Sequence, residues 1–238
     1  MSYEELKSSG ITTDTPKNIM LGAGTIHKGF ALTYSLTTDT AIVKGKTYYT
    51  RSSGSAPYTY TAVEEPSLSS ISTYYEAKWN FEESLIGATS GGSKFSIVPE
   101  FTDIEVDGAL VKVKGLTVKT GEVATMEVNF IEMTPELLKM CVIGDSAAST
   151  DFAGYTEITS RARITENDYV ENLAYVGHKT DGTPVIIIFD QAICTSGLEV
   201  EGKNKEAGVF TGTFECVADI SPEADTLPWR ILYPTIAE

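Results

Sequence analysis

The chain contains few of the residues from which catalytic and metal sites are usually built. Its 238 residues include only two histidines, His27 and His178, and three cysteines, Cys141, Cys194 and Cys216. So sparse and odd a set of cysteines does not indicate a disulfide framework, and we expect three buried thiols. No zinc-site spacing, EF-hand loop or nucleophile elbow is present in the sequence. We therefore expect neither an enzyme nor a protein that carries a metal or cofactor.

Basic residues are also scarce, and long apolar runs are missing. Lysine and arginine number 18 against 33 aspartates and glutamates, which gives a formal net charge of −15. Such a chain repels phosphate, so a basic nucleic-acid footprint is excluded. The longest apolar run, residues 185–189, is too short to span a bilayer, and residues 1–7 lack the apolar stretch of a secretory signal. We therefore expect a protein that is made in the cytoplasm and does not associate with membranes.

Two glycine-rich stretches do not fit the phosphate-binding motifs that they superficially suggest. Gly22-Ala23-Gly24 lacks the third glycine of a dinucleotide motif and opens no predicted helix. The stretch from Gly87 to Lys94 leads into a strand pattern, so no helix N-terminus would face a phosphate. Flexible or closely packed backbone explains these glycines better.

Most of the chain has the residue pattern of β-strands. Met126, Val128 and Phe130 alternate with polar residues, which is typical of a half-buried strand. Asp107-Gly108 and Asp181-Gly182 lie between strand-like runs and predict hairpin turns, because both residue types tolerate positive φ. The pattern predicts a mostly β fold with one α-helix and a long hairpin-like insertion.

The helix has a clear start signal at residues 134–136. Thr134 is suited to the N-cap, Pro135 to the first helical position, and the acidic Glu136 to the positive end of the helix dipole. A short helix is stable only when packed, so we expect its apolar face to lie on the sheet. That face is predicted to contain Leu137, Leu138 and Cys141.

Changes in composition predict how the chain is organised around one central domain. Residues 1–17 are predicted as an N-terminal arm, 18–220 as the domain, and the proline-containing residues 221–238 as an extended C-terminal arm. Residues 37–79 are rich in Ser, Thr and Tyr and are expected to form a long hairpin or insertion, because a structureless loop of that length is unusual. The many tyrosines of this segment could form a binding surface, or they could simply fill strands, since tyrosine suits both. The sequence alone does not distinguish these two roles.

Three acids alternate with apolar residues at the end of a predicted strand. On a strand, Asp103, Glu105 and Asp107 would place three carboxylates on one face. Adjacent like charges are unfavourable, so such a face needs water, counterions, a metal or a basic partner. A solvated face, an acidic functional wall and contact with a basic patch on another subunit all remain open.

The order of several short segments resembles the major tail tube proteins of long, non-contractile-tailed phages. Residues 18–30 (Asn-Ile-Met-Leu-Gly-Ala-Gly-Thr-Ile-His-Lys-Gly-Phe) resemble the opening of that family, and residues 85–95 (Leu-Ile-Gly-Ala-Thr-Ser-Gly-Gly-Ser-Lys-Phe) its next landmark. The similar segments that follow are Val-Pro-Glu at 98–100, Ile-Glu-Val-Asp-Gly at 104–108, Val-Lys-Gly at 113–115, residues 120–138 with Glu132 and a Thr-Pro-Glu helix start, Gly-Thr-Phe-Glu-Cys at 212–216 and Pro-Trp-Arg-Ile-Leu-Tyr-Pro at 228–234. The resemblance covers most of the chain except residues 37–79.

This resemblance implies a fold and a structural role in a virion tail. The implied fold is a two-sheet β-sandwich or partial barrel with one flanking α-helix. Subunits of such proteins close into hexameric rings that stack into a tube around a tape-measure protein, with tail terminator and distal tail proteins at its ends. DNA later passes through the tube without sequence-specific binding. The family would place Tyr48, Tyr49, Tyr58 and Tyr60 in a loop between rings, and Asp103, Glu105 and Asp107 are candidates for the acidic lumen. The alternative is a carbohydrate-binding β-sandwich or tail adhesin that uses the tyrosine-rich segment.

Overall fold

The computed structural model describes residues 11–12, 14–108, 111–202, 204–205, 207–220 and 226–234. As the alternating pattern predicts, the described chain is mostly β, with antiparallel sheets. Its strands are β1 (Met20–His27), β2 (Leu32–Leu36), β3 (Tyr49–Arg51), β4 (Tyr60–Ala62), β5 (Tyr75–Trp79), β6 (Thr89–Asp103), β7 (Thr117–Phe130), β8 (Gly144–Ala148), β9 (Thr156–Ser160), β10 (Tyr169–Lys179), β11 (Pro184–Cys194), β12 (Glu199–Glu201), β13 (Val209–Cys216) and β14 (Trp229–Leu232). Its helices are α1 (Thr15–Asn18), α2 (Phe81–Ser84) and α3 (Pro135–Cys141), and 3-10 turns cover Leu68–Thr73 and Glu166–Asp168.

The described chain divides into two compact units, of which the larger comprises residues 1–29 and 85–238. Its main sheet has the strand order β1–β10–β11–β13–β7–β6, with β12 paired to β13 and β14 to β11. Strand β11 changes partner along its length, because residues 186–189 pair with β14 and residues 192–194 pair with β13. The sheet therefore divides at β11 into two parts that can face each other.

The two parts of this sheet pack into one core. Phe95 on β6 contacts Phe189 on β11 with ring centroids 5.7 Å apart, although two strands separate β6 from β11 in the sheet. Every second side chain of the central part of β7 is fully buried, which confirms the predicted alternation at Met126, Val128 and Phe130. The expected hairpin at Asp181-Gly182 also forms, between β10 and β11.

Helix α3 begins as its sequence predicts. Thr134 precedes it, and the Thr134 hydroxyl accepts a hydrogen bond from the Leu137 backbone N–H at 3.2 Å. The buried face contains Leu137, Cys141 and Met140, whereas Leu138 is only half-buried. The prediction that Leu138 belongs to the packed face needs this correction, because residues 137, 140 and 141 follow the i, i+3, i+4 spacing and Leu138 lies at its margin.

The smaller unit comprises residues 30–84 and contains the tyrosine-rich segment 37–79. This segment is not one hairpin, since it contributes three strands to a four-stranded antiparallel sheet in the order β2–β5–β3–β4. Tyr48, Ile71 and Tyr74 form a separate buried cluster on one side of that sheet. The chain leaves the larger unit after Gly29 and returns at Leu85, which makes a β-bridge with His27.

Both predicted arms lie partly outside the described residues. Residues 1–10 and 13 of the N-terminal arm, and 221–225 and 235–238 of the C-terminal arm, are not described. Part of the C-terminal segment is a strand of the main sheet, because β14 pairs with β11 in register from Ile186↔Leu232 to Phe189↔Trp229. Trp229 packs against the core and donates its indole N–H to Glu122 at 2.7 Å. The C-terminal segment therefore contributes to the larger unit.

The burial of α3 predicts unequal effects of two adjacent leucine truncations. Leu137→Ala should lower the free energy of unfolding by about 2–5 kcal/mol, because it removes a fully buried side chain. Leu138→Ala should cost roughly 1 kcal/mol, the usual size for a partly exposed site. Denaturant unfolding of the two variants measures this difference, and equal losses would contradict the described orientation of the helix.

The adjacent ends of the smaller unit predict that it can be removed. Replacing residues 30–84 with a Gly/Ser linker of about four residues should leave the larger unit folded, because a short closure costs little entropy. All the buried residues of its main core lie outside 30–84. Circular dichroism and a single cooperative unfolding transition measure the outcome, and an unfolded product would show that the larger unit depends on residues 30–84.

Candidate functional site

The three alternating acids do not share the face of a strand. Strand β6 ends at Asp103, and Glu105 and Asp107 lie in the connection that follows it. The Asp103 carboxylate accepts a hydrogen bond from Thr117 at 2.6 Å and forms an ion pair with Lys112 at 2.9 Å. These contacts hold the pKa of Asp103 below its usual value. The predicted wall of three parallel carboxylates is therefore wrong, because pairing with β7 ends where the alternation begins.

These acids belong to a two-stranded ribbon formed by residues 98–108 and 111–123. Residues 98–103 of β6 pair here with residues 117–123 of β7, and this part of β7 pairs with β6 alone, since β13 joins β7 only from Thr125. Most of the described side chains of the ribbon are exposed. The exposed apolar side chains are Val98, Phe101, Ile104, Val106, Val111, Val113, Val118 and Val123, with Phe101 61% and Val111 76% exposed.

A ribbon of this composition is not expected to be stable by itself. Two-stranded hairpins are marginal in water, and β-branched and aromatic residues are normally placed where one face is covered. Exposed apolar side chains in a contiguous group mark interaction surfaces in soluble proteins. The ribbon is therefore the strongest candidate interaction surface in the described chain.

The charges of the ribbon are separated between its two arms. The first arm, residues 98–108, carries Glu100, Asp103, Glu105 and Asp107 and no basic residue. The second arm, residues 111–123, carries Lys112, Lys114 and Lys119 and a single acidic residue, Glu122, which forms an ion pair with Lys119. We call these the acidic arm and the basic arm. In the described residues, no further strand pairs with the outer edge of either arm.

The predicted inter-ring tyrosines fall into different environments. Tyr48 is fully buried, and its hydroxyl donates to Asp39 at 2.8 Å, so it cannot contact another subunit directly. Burial and this hydrogen bond raise the pKa of Tyr48, although the N–H of Val43 opposes them. Tyr49 and Tyr60 are half-buried, and Tyr58 is 38% exposed.

A second group of tyrosines covers the opposite face of the small sheet. Tyr34 and Tyr60 stack with ring centroids 4.0 Å apart and 2° between their planes, and each also contacts one further tyrosine, Tyr49 or Tyr75. These four side chains are half-buried, and their hydroxyls form no hydrogen bond within the described chain. The Arg51 guanidinium lies over the Tyr75 ring at 5.2 Å. The sheet therefore has a polar-edged aromatic face that is still accessible.

The histidines and cysteines are distributed through the larger unit. His27 is buried on β1 with its Nε2 2.8 Å from the Thr25 hydroxyl, and His178 is exposed on β10.

All three cysteines are free and buried, which confirms the expected buried thiols. Cys194 and Cys216 lie on adjacent strands, offset by two residues, and Cys194 Sγ lies 3.6 Å from the Ser196 hydroxyl. The pKa of the Cys216 thiol is raised to about 12, mainly because the thiol is buried.

Asp168 is the most strongly stabilised buried charge in the larger unit. Its carboxylate contacts Arg161, lies 3.3 Å from Lys139 on α3 and accepts the Thr165 backbone N–H at 2.7 Å. Burial alone would raise the pKa of Asp168, but these donors outweigh it and lower the pKa to about 2. Because the donors all come from the chain itself, this cluster joins α3 to the start of β10 and is not a ligand site.

Comparison with known proteins adds no assignment. No model of a known protein family matches the chain, and no curated protein matches it. Within the described ranges, no group of three or more His, Cys, Asp and Glu side chains is placed to hold a metal ion. None of the helices that the structure describes is long and apolar enough to cross a membrane.

The buried carboxylate predicts a pH-dependent loss of stability. Asp168→Asn should lower the free energy of unfolding by roughly 2–4 kcal/mol at neutral pH, since Arg161 loses its buried partner. The folded-state pKa is about 2, below the value of about 3.9 expected in the unfolded chain, so the wild-type advantage is complete above roughly pH 5. It should shrink as the pH falls from about 4 towards 2.

Denaturant unfolding of both proteins across this pH range measures the effect. Asp145→Asn is the matched control, because Asp145 also contacts Arg161 but its side chain is 65% exposed. That variant should lose less than about 1 kcal/mol. A pH-independent difference between wild type and Asp168→Asn would contradict the assigned role.

Proposed function

We propose that the chain is a structural subunit that assembles with copies of itself into stacked rings, as the tail tube of a long, non-contractile-tailed phage. The observation that carries this proposal is the ribbon, whose two unpaired edges bear opposite charge. An acidic arm on one copy is complementary to the basic arm of the next. Contacts between different patches on identical subunits generate rings when the rotation closes.

The ribbon also supports strand pairing between copies. Unpaired edges offer rows of backbone donors and acceptors that another strand can complete. Pairing would also cover apolar side chains such as Phe101 and Val113, which are exposed in the single chain. Hydrophobic burial would then supply affinity, while the charges would select the correct edge and orientation.

Several further features of the proposal rest on the family resemblance. They are the hexameric ring, the tape-measure protein inside the tube, the terminator and distal tail proteins, and passage of DNA. Glu105 and Asp107 are proposed to lie opposite a neighbour's basic arm, while Asp103 pairs with Lys112 within the ribbon. A place for Asp103, Glu105 and Asp107 in the lumen stays a prediction. The net charge of −15 still supports a conduit that does not retain DNA.

A carbohydrate-binding module is the second candidate function. The accessible tyrosine face of the small sheet favours it, because phenol hydroxyls without partners can bond to sugars. The stacked pair Tyr34 and Tyr60 argues against it, since each ring covers a face that a sugar would need. Retention of the monomer on cell-wall polysaccharide would distinguish this function from self-assembly.

Charge reversal of the two arms tests self-assembly directly. Glu100→Lys/Glu105→Lys/Asp107→Lys makes both arms net positive, and Lys112→Glu/Lys114→Glu makes both net negative. Each variant alone should remain monomeric, because like charges then meet at every contact. An equal mixture should assemble, since the variants can alternate around a ring with an even number of subunits. Sedimentation and electron microscopy of the three samples provide the measurement.

The control is Asp151→Lys/Glu157→Lys/Glu166→Lys, which changes the net charge as much as the acidic-arm variant does, at exposed positions away from the ribbon. This variant should assemble like the wild type. If both arm variants assemble alone, the arms do not meet between copies. If the wild type remains monomeric at high concentration and forms neither rings nor tubes, the proposed function is wrong.

A further inference from the structure

A cavity lies inside the larger unit between strands β1, β6, β7, β10 and β11. Its volume is about 280 Å³, and it is lined by Met20, Ser93, Lys94, Phe95, Met126, Tyr175 and Ile187. Most of this lining is apolar. Met20 is 48% exposed and Lys94 is also exposed, so the cavity opens where these two residues lie, on the two outermost strands of the sheet. A small molecule can therefore reach it from solvent.

Two hydroxyl groups in the lining make no hydrogen bond in the described chain. Ser93 Oγ is buried without a partner, and it shares the inner face of β6 with Phe95. The hydroxyl of Tyr175, a residue only 7% exposed, also forms no hydrogen bond there. Burial raises the pKa of Tyr175, so this hydroxyl stays protonated and can donate. A buried hydroxyl without a partner is costly, which makes Ser93 Oγ suited to a polar atom of a ligand. The Tyr175 hydroxyl is the second polar group of the lining.

Glycines make room for the Tyr175 ring beside the cavity. A Cβ atom at Gly24 would lie 2.4 Å from the ring, and one at Gly177 would lie 3.0 Å from it. Gly24 also has φ of +67°, a conformation that side-chain-bearing residues rarely adopt. The backbone on both sides is thus shaped to hold this ring, which places a rigid aromatic wall and a hydroxyl at the cavity.

We propose that this cavity is a binding site for a small, neutral, mostly apolar molecule with one hydroxyl group. Its volume is about twice the roughly 150 Å³ that accommodates benzene in an engineered apolar cavity, which indicates a two-ring aromatic or a similar aliphatic alcohol. Phe95, Met126 and Ile187 supply the apolar contacts, and methionine adapts well to ligand shape. Ser93 and Tyr175 supply the hydrogen bonds. The site is independent of the proposed assembly.

Titration of the full-length chain with 2-naphthol and with naphthalene, followed by ligand fluorescence, tests the proposal. Both probes should bind saturably with one molecule per chain, and 2-naphthol should bind more tightly. Ser93→Ala should weaken 2-naphthol binding about 3- to 10-fold through the lost hydrogen bond and leave naphthalene binding unchanged. The matched control is Ser96→Ala, three residues along the same strand on its other face, which should change neither affinity.

A second variant tests the position of the ligand by filling the cavity. Ser93→Leu should abolish binding of both probes while circular dichroism remains that of the wild type. If Ser93→Leu does not fold, the comparison of Ser93→Ala with Ser96→Ala still shows whether the ligand hydroxyl lies at Ser93. Absence of saturable binding to the wild type, or an equal effect of Ser93→Ala on both probes, would overturn the proposal.

Discussion

The architecture of the larger unit depends on the contact between the inner faces of β6 and β11. Strand β11 pairs with β14 along one stretch and with β13 along the next, which allows the sheet to divide and turn back on itself. Phe95 then meets Phe189 across the interior, and the side chains of β7 and β13 fill the space between them. Burial of these apolar side chains is the dominant favourable term for such a domain.

The same contact explains both surfaces to which we assign roles. Where the two parts of the sheet face each other, β6 and β7 contribute to a closed core with a cavity at its margin. Beyond Val98 the two strands continue without a second layer, so their apolar residues stay exposed. One strand pair therefore contributes to the core along one part and to the proposed interaction surface along the other. The two arms of the exposed part differ in the sign of their net charge.

Two of the glycine-containing segments that resemble the tail tube family lie at close-packed positions. Gly24 makes room for the Tyr175 ring, and a Cβ at Gly212 would lie 3.1 Å from Phe214. The stretch at residues 22–24 is explained above by flexible or closely packed backbone and not by a ligand motif. The structure is consistent with that explanation, since a side chain at Gly24 would collide with Tyr175, and one at Gly212 would require its neighbours to shift.

Strand alternation, tight turns and helix caps could be predicted from neighbouring residues in the sequence. Alternation in β7, the turn at Asp181-Gly182 and the Thr134 cap of α3 depend on neighbouring residues, and all are present. Contacts between side chains that are distant in the sequence could be read only from the tertiary structure. Alternation could not reveal that pairing in β6 stops at Asp103, and tyrosine content could not separate buried Tyr48 from its accessible neighbours. The cavity was beyond prediction for the same reason, because its lining comes from five strands that are brought together only when the sheet turns back on itself.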